Sequence, residues 1–240
     1  MEQKIKHKEV KKILKTNEFN EMIFKVRESF TKHRDNYVIS GVIIVVLIAG
    51  TIFFVNNRKS TEEKAQQIIT RANFILTRPV VDSKDANMYG MFKSKEEKYE
   101  QAIAAYQEII QTYKSSKMLP QAYLNVANAY FNIERYKEAI EYYNTFIEKF
   151  SKNELFPEAL FGRALAYYEQ GQFNEALSDL KTVIEKYPQT ISIHDAKIKA
   201  AQCYLKLNDV NSAKAVLQDI RDTDGTYWYG LAMSVLSEIK

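Results

Sequence analysis

The sequence has little of several residues and motifs that define particular protein classes. It holds one cysteine, Cys203, so no disulfide can form within the chain. Its three histidines are scattered and belong to no Cys/His cluster, so no metal site is predicted. Neither a glycine-rich phosphate loop nor a Ser/His/Asp set occurs, and we therefore predict no catalytic residues and no cofactor. Only four prolines and seven glycines in 240 residues favour helix over sheet.

Most of the chain also lacks a net charge. The formal charge of +4 lies in residues 1–35, where ten Lys or Arg accompany six Asp or Glu. The remaining 24 residues of each sign fall in residues 56–240 and cancel. A nucleic-acid-binding domain normally carries a basic excess. The balance therefore predicts no nucleic-acid partner.

Residues 37–55 contain no charged side chain. As a helix rising about 1.5 Å per residue they would span about 28 Å, close to the ~30 Å hydrocarbon core of a bilayer. A cleavable signal peptide has a shorter apolar region of about 7–15 residues after a short basic start, whereas 36 residues precede this one. We predict an uncleaved transmembrane anchor over residues 36–57 that contacts the lipid bilayer through 37–55.

Lys and Arg are more numerous before this apolar run than directly after it. Ten lie in residues 1–35, and Arg58, Lys59 and Lys64 follow the run. Because positively charged segments stay on the cytoplasmic side, the bias predicts a single-pass protein of the cytoplasmic (inner) membrane. Its N-terminus is expected in the cytoplasm, and everything after the span is expected outside it.

The tail, residues 1–35, contains a second apolar pattern with helical spacing. Its members are Phe19, Met22, Ile23, Val26 and Phe30. We predict a basic cytoplasmic helical tail and leave three roles open. The helix could lie on anionic lipid headgroups, dock on a cytoplasmic protein, or simply extend the membrane span.

Alanine recurs in the rest of the chain every 37 residues, at Ala102, Ala139, Ala176 and Ala213. The residues four later keep the same period and are large: Tyr106, Tyr143, Leu180 and Leu217. A second small set lies twelve residues before the last three alanines: Ala127, Ala164 and Ala201. A fixed period with small residues at the same phases predicts stacked helical pairs rather than one globular core.

The segment after the span predicts the first helix of the first repeat. Ser60–Glu63 has the pattern of a capping box that would begin a helix over 60–78. Pro79 would end the helix, and residues 79–96 form an unusually long connection. We predict an insertion loop over 79–96 that separates this helix from its partner, with Gly90 matching the repeat phase by chance.

Residues 120–153 strongly resemble a tetratricopeptide repeat, through Ala127, Tyr130, Tyr136, Ala139 and Tyr143. Residues 157–190 and 194–220 repeat the pattern. The resemblance implies an all-α fold in which a single transmembrane helix precedes a tetratricopeptide-repeat superhelix over 58–240. About four repeats are expected, plus a capping helix that carries Trp228 and shields the final apolar face.

The 37-residue period, and a large residue seven after each repeat alanine, resemble bacterial cell-envelope repeats. Those of outer-membrane assembly lipoproteins and the Tol-Pal coordinator are examples. The complete layout is similar to the ancillary subunit of the Sec translocon (the YfgM type). That resemblance implies a repeat domain in the periplasm whose protein partners are a translocon, periplasmic chaperones or envelope assembly factors.

In the tetratricopeptide-repeat fold the first helices line a concave groove. Projection from the small residues predicts a partner-binding groove formed by Leu124, Asn128, Phe131, Phe161, Leu165, Tyr168, Ile198, Gln202 and Leu205. This mixture of apolar side chains and amides would hold a peptide segment, without any Lys or Arg in the groove. We predict a protein-binding scaffold and no enzyme. The alternatives are a self-associating organiser that forms homo-oligomers and an organelle import receptor with cytosolic repeats.

Overall fold

The computed structural model describes residues 18–81, 90–221 and 227–237, and contacts between residues divide the chain into two units, Met1–Lys59 and Ser60–Lys240. The fold is all-helical, as predicted. In the described ranges, β-structure consists of an isolated bridge between Val80 and Phe92.

The first unit contains two helical segments. Residues 18–32 form α1, and α2 begins at Arg34 after a break at His33. The apolar run 37–55 lies in α2, whose side chains there are exposed, and the helix is long and apolar enough to cross a membrane. The N-terminal lysines from Lys4 to Lys15 lie outside the described residues.

Helix α2 (Arg34–Thr77) contributes its last part to the second unit. The other helices are α3 (Lys95–Thr112), α4 (Leu119–Asn132), α5 (Tyr136–Lys149), α6 (Phe156–Glu169), α7 (Phe173–Lys186), α8 (Ile193–Lys206), α9 (Val210–Arg221) and α10 (Tyr227–Ser237). Sequential helices from α3 to α10 pack against each other. This gives repeated helical pairs followed by a single terminal helix.

The segment of α2 after residue 60 packs with α3 and α4 as the first helix of the first repeat. Its buried side chains Ala65, Ile68, Ile69 and Ala72 share a core cluster with residues of both helices. The predicted capping box is wrong, because α2 passes through Ser60 without interruption. Glu62 instead accepts hydrogen bonds from the Ser116 hydroxyl, at 2.7 Å, and from the Lys117 amide, at 3.0 Å.

The two ends of the connection between α2 and α3 pair with each other. Val80 and Phe92 form the bridge, and Phe92 is buried. Ser94 begins α3, with its hydroxyl accepting from the Glu97 amide at 3.0 Å. Gly90 has φ +67° and lies in this connection rather than in a helix, so its match to the repeat phase is coincidental. Residues 82–89 of the predicted insertion loop 79–96 lie outside the described residues.

Small residues bring the helices of each repeat close together. The alanines at 102, 139, 176 and 213 are all fully buried, as are Ala127, Ala164 and Ala201. A helix crossing at short distance needs a small side chain at the point of contact. The period therefore marks the core, as the sequence indicates.

The period also extends into the turn between the two helices of a repeat. Glu134, Gly171 and Asn208 are 37 residues apart and have φ values of 63°, 75° and 61°. Only glycine adopts this left-handed conformation without a Cβ penalty of about 1–2 kcal/mol. The chain accepts the cost at Glu134 and Asn208, so helix packing sets the geometry of the turn.

The terminal helix covers the last repeat. Ala232 and Val235 of α10 are buried in a cluster with residues of α8 and α9. Trp228 packs at the edge of this cluster and stacks on His194, with ring centroids 5.6 Å apart. This is the packing expected of a capping helix.

Candidate functional site

The first helices of successive repeats form one continuous layer. Helix α4 packs directly on α6, α6 on α8, and α8 on α10, while the end of α2 shares a core cluster with α4. We call the four contacts between these helices seams 1 to 4, from α2/α4 to α8/α10. The surface that they present is the candidate groove.

At seam 2 a side chain from the core reaches this surface. Tyr143 extends from α5, is 1% exposed, and its hydroxyl donates to the Asn128 Oδ1 at 2.6 Å. The ring passes over Gly162 of α6, where a Cβ atom would collide with the tyrosine ring and hydroxyl. Burial, and then the nearby charge of Glu158, raise the pKa of Tyr143. The phenol is therefore a neutral hydrogen-bond donor that fixes the orientation of the asparagine amide.

Seam 1 repeats the arrangement. Tyr106, at the equivalent position of α3, donates to the Asn73 Oδ1 of α2 at 2.6 Å. Burial raises the pKa of Tyr106, and a hydrogen bond with Asn125 of α4 partly opposes this shift. In both seams a tyrosine hydroxyl donates a hydrogen bond to the Oδ1 atom of an asparagine. The Nδ2 amino group of that asparagine is the group that could donate to a partner.

Seams 3 and 4 have leucine in place of the tyrosine. Leu180 and Leu217 are fully buried. At seam 3 the Lys199 Nζ of α8 lies 4.2 Å from the ring centroid of Tyr168 on α6, in a cation–π contact. Lys199 was not among the predicted groove residues, but it contacts one of them.

Two predicted groove residues belong to the core. Leu124 is 2% exposed and shares a cluster with Ala159 of α6. Ile198 is 5% exposed and shares a cluster with Val235 of α10. In each case the neighbouring helices of the array, α5 and α6 for Leu124 and α9 and α10 for Ile198, contribute to the cluster that buries the side chain. Their assignment to a partner-contacting surface is wrong.

The other predicted groove residues are partly exposed. Phe131 and Tyr168 have equivalent places, each in an edge-to-face contact at 5.4 Å with the aromatic residue that begins the next helix. Phe161 packs beside the core cluster of α6, α7 and α8. Leu165 is half-buried, in the position that Asn128 occupies one repeat earlier. These side chains remain candidates for partner contact.

The C-terminal end of the predicted groove lies on α8. Leu205 is half-buried against the last core cluster. The Oε1 atom of Gln202 is buried and has no hydrogen-bond partner among the described residues. Gln202 occupies the phase of Asn128, but Leu217 replaces the tyrosine that would donate to it. Seam 4 therefore lacks the bond that orients the amide at seam 2.

A buried ion pair, not predicted from the sequence, joins the middle of the array. Arg163 of α6 donates through Nε and Nη2 to the two carboxylate oxygens of Asp179 on α7, both at 2.7 Å. Its Nη1 donates to Asn144 of α5 at 2.6 Å. The side chains of Arg163 and Asp179 are 19% and 7% exposed. The bidentate pair joins α6 to α7, and the bond to Asn144 connects the same arginine to α5, so Arg163 stabilises the packing of three successive helices.

Cys203 is fully buried, and burial raises the pKa of its thiol to about 11, so it has little thiolate at neutral pH. In the part of the chain that the structure describes, no group of three or more His, Cys, Asp or Glu could hold a metal ion. The groove offers oriented amide donors, tyrosine rings and aliphatic side chains.

Comparison with known families identifies the fold. Two family models described as tetratricopeptide repeat match the chain, one over residues 167–233 and the other over 94–154 and 127–191. Together they extend over residues 94–233, more than half of the 240 residues. The chain belongs to the tetratricopeptide-repeat family.

Solved structures agree on the fold. A tetratricopeptide repeat protein from Parabacteroides merdae ATCC 43184 is similar with a TM-score of 0.56 and 15% identity over 73% of this chain; the match covers 60% of that structure. A set of nearly identical TPR-like repeats from Podosopora anserina, described as kinesin light chain, has a TM-score of 0.52 and 14% identity, covering 75% of this chain and 83% of that one. The sequence matches none of the curated proteins. Repeats of this family generally mediate protein–protein interaction.

Proposed function

We propose that this protein is a membrane-anchored scaffold that holds extended segments of partner proteins against seams 1 and 2. The observation that carries the proposal is the paired arrangement of Tyr106 with Asn73 and Tyr143 with Asn128. An extended peptide presents backbone carbonyl oxygens, which accept from amide donors. Because the tyrosines hold both asparagine oxygens, the amides are already oriented, and a partner loses less entropy on binding.

The location proposed for the scaffold is the cell envelope. The apolar run 37–55 would anchor it in the cytoplasmic membrane, and the Lys/Arg bias supports a cytoplasmic N-terminus with periplasmic repeats. The similarity of the layout to the ancillary subunit of the Sec translocon supports partners among translocon subunits, periplasmic chaperones or envelope assembly factors. In this proposal residues 1–35, 36–57 and 58–240 are tail, anchor and repeat domain.

Site-specific photo-crosslinking in intact cells tests the scaffold. A photoreactive residue at position 128 should form adducts with other proteins, whereas one at Asn174, exposed on α7, should form few. Adducts at position 128 with copies of this chain alone would favour the self-associating organiser. Equal labelling from both positions would show that the groove has no special role.

A matched variant separates binding from folding. Asn128→Leu with Tyr143→Leu copies the residues at the same phase in the next repeat, Leu165 and Leu180. Helical content should be retained, and adduct formation through a crosslinker at Asn73 should fall about fivefold, as expected for one lost hydrogen bond of about 1 kcal/mol. Unchanged crosslinking would contradict the role of the oriented amide.

A reporter fusion tests the location. An enzyme that is active only in the periplasm, joined after residue 240, should be active if the repeats lie outside the cytoplasm. An inactive fusion would contradict the envelope scaffold and favour repeats that face the cytosol, as in the organelle import receptor.

A further inference from the structure

Helix α4 carries no charged side chain. All of its 14 residues are uncharged, in a chain of which 27% is Asp, Glu, Lys or Arg. The side chains that face away from the core are amides, which at about 100° per residue fall within an arc of about 60°: Gln121, Asn125, Asn128 and Asn132. We call these four residues the amide stripe. Asparagine is one of the poorer helix formers, so helix stability does not explain three of them in one helix.

The equivalent side of α2 has the same character. At the four matching positions, 55 residues earlier, lie the exposed residues Gln66, Thr70, Asn73 and Thr77. The Thr70 and Thr77 hydroxyls donate to carbonyl oxygens of α2 at 2.9 and 2.8 Å, so their oxygens remain acceptors. Tyr106 connects the two helices, because its hydroxyl donates to Asn73 and shares a hydrogen bond with Asn125. Both sides of seam 1 therefore present uncharged donors and acceptors.

The same positions farther along the array are mostly charged. Helix α6 has Glu158 and Glu169 there, and α8 has Asp195, Lys199 and Lys206. The repeat therefore accepts charged residues at these positions. Their absence from α2 and α4 is a property of seam 1 and not a requirement of the fold.

The charges nearest to seam 1 lie at its two ends and on α6. The ends carry Glu62, Glu63 and Lys117 on one side and Glu134 and Arg135 on the other. Glu62 is bonded to the Ser116 hydroxyl, and Arg135 is paired with Glu138 at 2.6 Å. Across seam 2, Glu158 is near enough to Tyr143 to raise the pKa of that phenol, after the larger effect of burial. Between Lys117 and Arg135, a charged side chain of a partner would meet no opposite charge on α4.

We propose that seam 1 selects extended partner segments whose side chains are polar and uncharged, and that such a segment lies along α4 against the amide stripe. This inference rests on the proposed binding of extended segments in the groove. Amides offer donors and acceptors, so Asn, Gln, Ser and Thr side chains can pair with them. A charged side chain would lose water without gaining a counter-ion, and an aliphatic one would leave the amides without partners. Selectivity comes from the exclusion of these side chains.

Synthetic peptides of matched shape test the selectivity. The probes are fluorescein-labelled peptides that repeat Gly-Ser-Asn-Gln. In a second peptide every Asn and Gln is replaced by Asp and Glu, and in a third by Leu and Met. Fluorescence anisotropy measures their dissociation constants for the detergent-solubilised full chain. The amide peptide should bind at least about fivefold more tightly than the acidic peptide and at least about threefold more tightly than the apolar one.

A variant with cations on the amide stripe should change this preference. Gln121→Lys with Asn132→Lys makes position 132 equivalent to Lys206 of α8. It should bind the acidic peptide at least about threefold more tightly than the wild-type chain does. The control, Gln111→Lys with Asn174→Lys, adds the same charge at exposed positions of second helices and should leave all three affinities unchanged.

The outcomes distinguish this inference from the proposed function. Equal binding of the three peptides by the wild-type chain overturns the selectivity and leaves the binding of extended segments. Binding of none of them overturns both. An equal gain for the acidic peptide in the control variant overturns the role of α4, because net charge alone would then set the preference.

Discussion

The two ends of the repeat array have the same 37-residue plan but differ in what fills the space between their first helices. Seams 1 and 2 receive a tyrosine from the second helix, whose hydroxyl bonds an asparagine at the surface. Seams 3 and 4 receive Leu180 and Leu217, which are fully buried and carry no polar group. One residue of the second helix therefore decides whether the core extends a polar group to the surface.

The largest expected effect concerns the buried ion pair between Arg163 and Asp179, which lies between the two ends of the array. Asp179→Ala leaves the guanidinium of Arg163 buried without its carboxylate, and the free energy of unfolding should fall by about 3 kcal/mol. The double variant Arg163→Ala with Asp179→Val copies the next repeat, which has Ala200 and Val216 at these positions. It should lower the free energy of unfolding by less than Asp179→Ala does. Denaturant unfolding of the detergent-solubilised chain, followed by circular dichroism, measures both. A double variant as unstable as the single one would show that the pair is not a matched unit.

The next effect concerns the gap that admits Tyr143 at seam 2. Gly162→Leu places a side chain where the tyrosine ring lies, so the free energy of unfolding should fall by about 2 kcal/mol. Lys199→Leu introduces leucine at the equivalent position of seam 3, where Leu180 replaces the tyrosine. It should lower the free energy of unfolding by less than about 1 kcal/mol. Denaturant unfolding of both variants tests the difference between seams 2 and 3. Equal losses of unfolding free energy would show that the two seams do not differ at this position.

Loss of the tyrosine hydroxyl alone should have a smaller effect. Tyr143→Phe removes the donor to Asn128 and should lower the free energy of unfolding by about 1 kcal/mol. Tyr136→Phe, near the surface of the same helix, should change it by less than about 0.5 kcal/mol. Thermal unfolding of the two variants is the measurement. Two equal values would show that the bond to Asn128 contributes nothing particular.

The smallest effect is a dependence on alkaline pH. Because burial raises the pKa of Tyr143, the folded state keeps the phenol protonated while the unfolded chain ionises near pH 10. Its contribution is fully present below about pH 10 and is lost as pH rises toward the folded value. At about pH 10.3 the wild-type chain should lose about 0.6 kcal/mol more, relative to pH 8, than Tyr143→Phe. Parallel curves would contradict the burial of the phenol.

The sequence predicted the packing of the repeats better than the composition of their surface. Small residues at a fixed period have one simple cause, the close crossing of helices, so Ala139 and Ala176 could be assigned to the core. Leu124 and Ile198 could not be placed correctly from their own helices, because helices that follow them in the array bury them. Exposure in a stacked fold depends on the neighbouring unit.

Local motifs had a similar limit. Ser60–Glu63 has the pattern of a helix start, but the apolar run before it continues the same helix, and Glu62 bonds the turn that follows α3. The contact between Arg163 and Asp179 joins residues on different helices and leaves no pattern in either one. For the contact between Tyr143 and α6, Gly162 was a usable signal, since a glycine inside a helix indicates a close approach of another group.

If partner segments bind the candidate groove as proposed, the hydrogen bond between the buried Tyr143 phenol and the Asn128 amide would make Tyr143 sensitive to that binding. A segment that accepts from the Asn128 amide would polarise the bond behind it. The near-ultraviolet dichroism of Tyr143 would change, and amide hydrogen exchange in α5 would slow, although the bound segment touches neither. Occupancy could thus be followed without a label, through a side chain that solvent does not reach.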